Sequence, residues 1–306
     1  MDLTAILSKM CTFVLLLVLG YIFARKKITG PEFTKACSKL VINLFLTATI
    51  LGSVINKEMT MTGAQLGIGI AAMFGMFAVN LVIGYLTPKV LRIKDGDIAV
   101  YRLLLCYMNS AFIGYPIVEA VYGADAIFYA STSNIPFNLT LYTLGVTMLR
   151  GGSGETKLRL RDVFSVPLIA TLLAVVLFIV KPQVPAIIED AVNTISGATV
   201  PLSMMLVGSS LGAVKIKDAI TEPRLYVLSL VRLIVCPVAI WLIMRFFISD
   251  PVMLGTIVII ASTPMAVVIT PLGIEYGRDG IESSKGIFIS TVLSMITMPL
   301  LIMLLL

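Results

Sequence analysis

The sequence predicts an all-α polytopic membrane protein, and three observations carry that prediction. Hydrophobic residues make up 58% of the 306, charged residues only 13%, and mean hydropathy is +1.02. A soluble domain of this length needs far more polar surface. The apolar residues fall into runs of roughly 20, the length a helix needs to cross a bilayer. Two of those runs are interrupted by Gly and Pro and then close on nearly the same peptide.

Ten spans follow in order: 3–24, 33–55, 65–86, 99–122, 126–149, 163–180, 186–211, 225–247, 252–276 and 283–305. The first is no cleavable signal peptide, because Arg25-Lys26-Lys27 follows the apolar run instead of preceding it. The second carries Asn43, Thr47 and Thr49 inside the run. The third holds Gly67-Ile68-Gly69, small residues that permit close helix approach, as do Gly208 and Gly212 in the seventh. The fourth reads Asn109-Ser110-Ala111-Phe112-Ile113-Gly114-Tyr115-Pro116 and ends at Tyr122-Gly123-Ala124-Asp125-Ala126-Ile127. The fifth contains Asn134, Pro136 and Asn138, and the seventh Ser196, Thr199, Pro201 and Ser203. The ninth reads Thr263-Pro264-Met265 through Thr270-Pro271 and ends at Tyr276-Gly277-Arg278-Asp279-Gly280-Ile281.

Loop cations orient the chain. With the N-terminus outside, most of the 23 Lys and Arg fall on one side, including Arg25–Lys27, Lys89, Arg92, Arg150, Arg159, Arg161 and Arg224. The other side receives Lys57, Lys181 and Arg245. Both termini are therefore expected outside a plasma (inner) membrane, with the Gly/Ser-rich loop after Arg150 in the cytoplasm. That loop divides the chain into a first five-helix repeat, 1–150, and a second, 151–306. An odd number of spans in each makes the repeats inverted, and each interrupts its fourth helix. Paired interruptions in inverted repeats are a transporter architecture and point to its binding site.

Composition excludes other classes. There is no His, which removes the commonest general base and metal ligand. Cys11, Cys37, Cys106 and Cys236 lie in apolar runs without a Cys-x-x-Cys pair. The spans hold no paired Asp and no nucleophile–base pair, so no enzyme, cofactor or metal is expected. The basic residues form no stripe or tail, so nucleic acid is not a partner.

A helix broken in a membrane leaves N–H and C=O groups that lipid cannot satisfy. The N–H end attracts anions, so an anionic substrate is expected, lying near the backbone of Gly114, Tyr115, Pro116, Pro264 and Pro271. No Lys or Arg stands out at mid-span beside the breaks. Asn109, Ser110 and Thr263 enter the breaks and either contact ligand or cap freed amides. Asn43 and Asn138 are further candidates, because a buried amide is costly; bridging between helices is the other reading for such groups. Glu119 and Glu275 follow the breaks closely and are candidates for ion coupling.

Asn109 with Gly114-Tyr115-Pro116 and Tyr122-Gly123, Pro264 with Glu275-Tyr276, and Ser196-Gly197-Ala198-Thr199-Val200-Pro201-Leu202 through Gly208 together resemble the auxin efflux carrier family. The match covers essentially all ten spans and is nearer the bacterial members than the plant PIN-type carriers, whose long cytoplasmic loop is lacking. Met108 stands where plant members carry Pro. The resemblance implies a scaffold of spans 1, 2, 6 and 7, a transport domain of spans 3–5 and 8–10, elevator-like alternating access and a homodimer. It implies small organic acids such as dicarboxylates as substrates. A sodium-coupled symporter of the bile-acid type is the alternative; it calls for a cluster of carboxylates and amides at the crossing, where only Glu119 and Glu275 are available.

Overall fold

A computed structural model describes residues 3–57, 62–93, 97–150, 163–213, 222–278 and 280–306. The Gly/Ser-rich loop after Arg150 therefore lies outside the described residues, as do Lys94 and Asp279.

The described residues are helical nearly throughout. Its first half contains α1 (Leu3–Arg25), α2 (Pro31–Leu40), α3 (Leu46–Gly52), α4 (Gly63–Val90), α5 (Ile98–Cys106), α6 (Tyr115–Tyr122), α7 (Ala126–Thr132), α8 (Asn134–Thr140) and α9 (Val146–Leu149). The second contains α10 (Val166–Val180), α11 (Ala186–Ser196), α12 (Thr199–Ala213), α13 (Pro223–Leu230), α14 (Cys236–Met244), α15 (Pro251–Ser262), α16 (Ile269–Glu275) and α17 (Ile281–Leu305). Wider π turns at Val41–Phe45, Ser110–Gly114, Leu141–Gly145 and Val231–Val235 link or lead into several of these. Among the described residues, five stretches are long and apolar enough to cross a membrane: Pro31–Gly52, Gly63–Val90, Ala186–Gly212, Pro223–Met244 and Ile281–Leu305. Cys11–Arg25, Val166–Val180 and Pro251–Ser262 are shorter apolar helices. The protein is a multi-pass membrane protein.

Packing sorts the chain into two compact units, each drawn from both halves of the sequence. The first comprises Met1–Ile70, Ala111–Asn134 and Ser165–Ala213; the second comprises Ala71–Ser110, Ile135–Phe164 and Val214–Leu306.

In the first unit α1 lies against α12 at backbone distance. A Cβ at Gly208 would collide with the backbone of Leu17 and Tyr21, and one at Gly20 with the backbone of Met205. At Gly212 the obstacles are Ala24 and the Tyr21 carbonyl. Small residues let helices meet this closely, which replaces the hydrophobic drive that lipid cannot supply. Gly67 behaves otherwise: among the described residues of the chain nothing lies within 4 Å of the position its Cβ would take. The hydroxyls of Thr49 and Thr199 are 2.7 Å apart, and Ser196 donates to Thr49 over 3.1 Å. These groups bridge helices. A cavity of about 570 Å³ is lined by Val54–Lys57, Leu177, Phe178 and Lys181–Val184.

The fifth span loses its regular helix at the single residue Ser133, which stays in the right-handed region; the sequence reading did not anticipate this lapse. α7 stops at Thr132 and α8 resumes at Asn134. Pro136 lacks an N–H, and its ring crowds the carbonyl four residues back, at Thr132.

Candidate functional site

Each interrupted helix begins at an aspartate. Asp97 accepts from the Val100 amide at the start of α5 (3.2 Å), and Asp250 accepts from Val252 and Met253 at the start of α15 (2.8 and 3.2 Å). These side chains satisfy N–H groups that have no partner within the helix. Each interrupted helix also ends at the shared Tyr-Gly peptide. Gly123 has φ 88° and Gly277 φ 81°, a region that L side chains avoid. After α16, the Arg278 amide bonds Gly273 O and the Gly277 amide bonds Ile274 O, the two contacts of a Schellman stop. The repeated peptide is thus a pair of helix stops.

Between start and stop, both chains leave the helix and meet. α5 ends at Cys106, and Tyr107 is extended (φ −110°, ψ 131°). α15 ends at Ser262, and Thr263 is extended (φ −67°, ψ 152°). Met108 pairs with Met265 in an antiparallel bridge. The Asn109 amide donates to Pro264 O (2.8 Å) and the Ala266 amide to Tyr107 O (3.1 Å). The Met265 amide donates to Ser290 Oγ of α17 (3.2 Å). Tyr107, Met108, Met265 and Thr263 are all buried. Two of the backbone pairs freed by the breaks are therefore satisfied between the breaks, and others by local carbonyls or Ser290, as an apolar environment demands. Met108 adopts the extended bridge without the Pro of plant members.

The first break lies upstream of its expected position. It occupies Tyr107–Asn109, and Gly114-Tyr115-Pro116 sits within the second half-helix. There Ser110–Gly114 forms a π turn, and Pro116 opens α6. A wider turn accommodates the missing proline N–H and the ring clash that a regular α-turn would suffer. The second break spans Thr263–Val268 and contains Pro264; Pro271 is in the first turn of α16, where a missing N–H matters little.

Three rings buttress the crossing. Tyr107 stands edge-on to Phe137 (5.5 Å between centroids), and Phe77 contacts both. Asn138, next to Phe137 on α8, is buried, as are Asn109 and Ser110. Thr263 Oγ1 donates to Ile260 O (2.8 Å), turning the hydroxyl back on its own helix.

Arg232 is the residue that sequence reasoning passed over. It lies in the π turn Val231–Val235 and is 0% exposed. Its Nη2 donates to Ala261 O (2.7 Å), one of the carbonyls left over at the end of α15. Its Nη1 donates to Asn80 Oδ1 of α4 (3.3 Å). Cys106 Sγ, at the end of α5, contacts Asn80 O (3.6 Å). A cation therefore does stand at mid-span beside the breaks, contrary to expectation. The signal was present: an ionisable residue deep in an apolar run is functional by default.

The remaining candidates divide between the units. Asn109, Ser110, Thr263, Pro264, Asn138, Pro271 and Glu275 belong to the second. Pro271 and Glu275 are exposed. Asn43, Gly114, Tyr115, Pro116 and Glu119 belong to the first. Asn43 lies in the π turn Val41–Phe45 with its side chain exposed, and Glu119 is half-buried with Lys9 as its charged neighbour. Among the described residues, no group of three or more His, Cys, Asp or Glu gathers to hold a metal.

A family model described as "Membrane transport protein" matches residues 5–159 and 153–302. An uncharacterized transporter of Methanothermobacter thermautotrophicus is 28% identical over 93% of this chain and 93% of its own length. One from Methanocaldococcus jannaschii is 25% identical over 94% and 95%, and one from Escherichia coli 24% over 70% and 71%.

Proposed function

The chain belongs to this membrane transport protein family, the auxin efflux carrier type, and on that premise we propose that it is a secondary carrier of small organic anions. The substrate is held beside the crossing of the two interrupted helices. One observation carries the reading: two helix breaks far apart in sequence are bonded to each other through Asn109–Pro264 and Tyr107–Ala266 in a buried setting. Nothing in helix packing alone requires a second break to match the first, whereas carriers build substrate sites from such breaks.

Asn109 and Ser110 open the half-helix that follows the first break and supply amide and hydroxyl contacts, with Asn138 from the fifth span. Thr263 and Pro264 hold the second break in place. The half-helix N-termini and the Arg232 guanidinium give the crossing a positive balance that suits a carboxylate. Ten spans in two inverted repeats, elevator-like alternating access, a homodimer and a cytoplasmic-membrane location with both termini outside complete the reading. The sorting of the chain into two packing units supports the scaffold and transport parts. One unit gathers spans 1, 2, 6 and 7 and the other spans 3 and 8–10. The segment 111–134 packs with the former.

Competition in proteoliposomes tests the reading. A transported acid should outcompete its matching amide by about tenfold or more, since each helix end favours an anion by about 0.3–1 kcal/mol and ~1.4 kcal/mol is a decade. Equal competition by the amide, or by an organic cation, removes charge as the basis of selection.

A further inference from the structure

Arg232 has no carboxylate partner among the described residues. Its contacts are a free helix carbonyl, Ala261 O at 2.7 Å, the Asn80 amide oxygen at 3.3 Å and the neighbouring Cys236. A guanidinium buried at membrane depth is expensive. An apolar side chain would fill position 232 at no such cost, and a water or a small donor would suffice to cap one carbonyl. The guanidinium is also placed with care. It lies in a π turn, a local widening that redirects side chains and recurs at functional sites. What balances its charge is the negative end of α15, where carbonyls left without amide partners concentrate about half an elementary charge. In carriers with discontinuous helices, such carbonyl ends and unwound backbone are where alkali ions bind.

We infer that Arg232 is a built-in cation of the crossing, occupying the carbonyl end of the ninth-span break that a coupling ion would otherwise fill. The crossing then carries its positive charge permanently, and an anionic ligand binds without a sodium ion accompanying it. The ligand half of this statement rests on the proposed function; the cation half does not depend on any substrate. A fixed guanidinium also repels a second cation from the same carbonyls, so an alkali ion gains access only when the side chain is removed.

The test uses the full chain, purified in lipid nanodiscs, with no substrate. Thermal stability is measured in sodium, potassium and choline chloride at equal ionic strength for the wild type, Arg232→Ala, Arg232→Gln and Arg232→Lys. The wild type and the lysine variant are expected to be indifferent to the cation. The alanine variant should be less stable and should regain stability in sodium over choline. For a site of ~10 mM affinity at about 100 mM salt, the gain is roughly 2–3 °C. Arg232→Gln keeps a donor for Ala261 without the charge and serves the same purpose where the alanine variant does not fold. A merely structural cap predicts lower stability with no cation preference in either variant, and that result overturns the inference. Specific stabilisation of the wild type by sodium overturns it as well, with no variant needed. Failure of the acid-versus-amide competition while these results hold would remove only the reading of the substrate.

Discussion

The two helix breaks look alike in sequence and differ in construction. The first is short: three residues, Tyr107–Asn109, separate α5 from the π turn that opens the next half-helix. The second runs over Thr263–Val268 and is anchored to a third helix through Ser290. At the end of α5 the Cys106 thiol contacts the Asn80 carbonyl, whereas a guanidinium caps the end of α15. The stops differ too. Gly123 closes α6 with φ 88° and ψ 174°, while Gly277 closes α16 in a Schellman arrangement. Matching sequence thus encodes matching positions for the breaks. What meets each helix end comes from a neighbouring element: the neutral Asn80 carbonyl of α4 at the first, and the Arg232 guanidinium between α13 and α14 at the second.

The largest effect expected from breaking this asymmetry is at the carbonyl ends. Arg232→Ala leaves Ala261 O and Asn80 Oδ1 without their charged donor and opens a cavity, which should cost roughly 3 kcal/mol. Cys106→Ala at the first break removes one weak sulfur contact and should cost about 1 kcal/mol or less. Unfolding of the two purified variants measures both, and equal losses would show that the breaks are energetically alike.

The stops come next. Neither Gly123 nor Gly277 has anything within 4 Å of the position a Cβ would take, so an alanine probes backbone conformation alone. Gly123→Ala should lose about 2–3 kcal/mol, because φ 88° with ψ 174° is a region essentially reserved for glycine. Gly277→Ala should lose only about 1 kcal/mol, the ordinary cost at a Schellman glycine. A reversed order would mean that the second stop is the stricter one.

Function is the third arm. Asn109→Ala should weaken uptake by about 1–2 kcal/mol, the scale of a polar helix contact or cap, while expression and folding persist. Thr263→Ala should act mainly on stability, since its hydroxyl already bonds Ile260 O. Unchanged uptake kinetics in Asn109→Ala would take that residue out of the site.

The smallest effect is at the starts. Asp250→Ala removes two amide contacts and Asp97→Ala one, together with the Asp97–Arg278 ion pair at 3.1 Å. Each should cost about 1 kcal/mol, with the Asp97 variant more dependent on salt because part of its loss is ionic. Denaturant unfolding at low and high ionic strength separates them.

Much of this protein is readable from its chain. Hydropathy of the runs makes it a polytopic membrane protein, because the bilayer imposes one length and one secondary structure on anything that crosses it. The glycines and prolines in two of those runs announce the breaks, since their backbone chemistry acts locally and needs no partner. The repeated Tyr-Gly marks helix stops for the same reason. Local chemistry misleads where several solutions exist. Gly114-Tyr115-Pro116 lies at the junction of a π turn with α6, and the extended bridge forms upstream of it, between Met108 and Met265. Pro136 likewise interrupts the regular helix of the fifth span at one residue, Ser133. What only the tertiary structure decided is which groups meet. That Asn109 bonds Pro264 and that Arg232 reaches Ala261 depends on helices separated by many residues being brought side by side. Residue spacing says nothing of that, because pairing across a helix bundle is fixed by packing of whole surfaces and not by any one segment's preference.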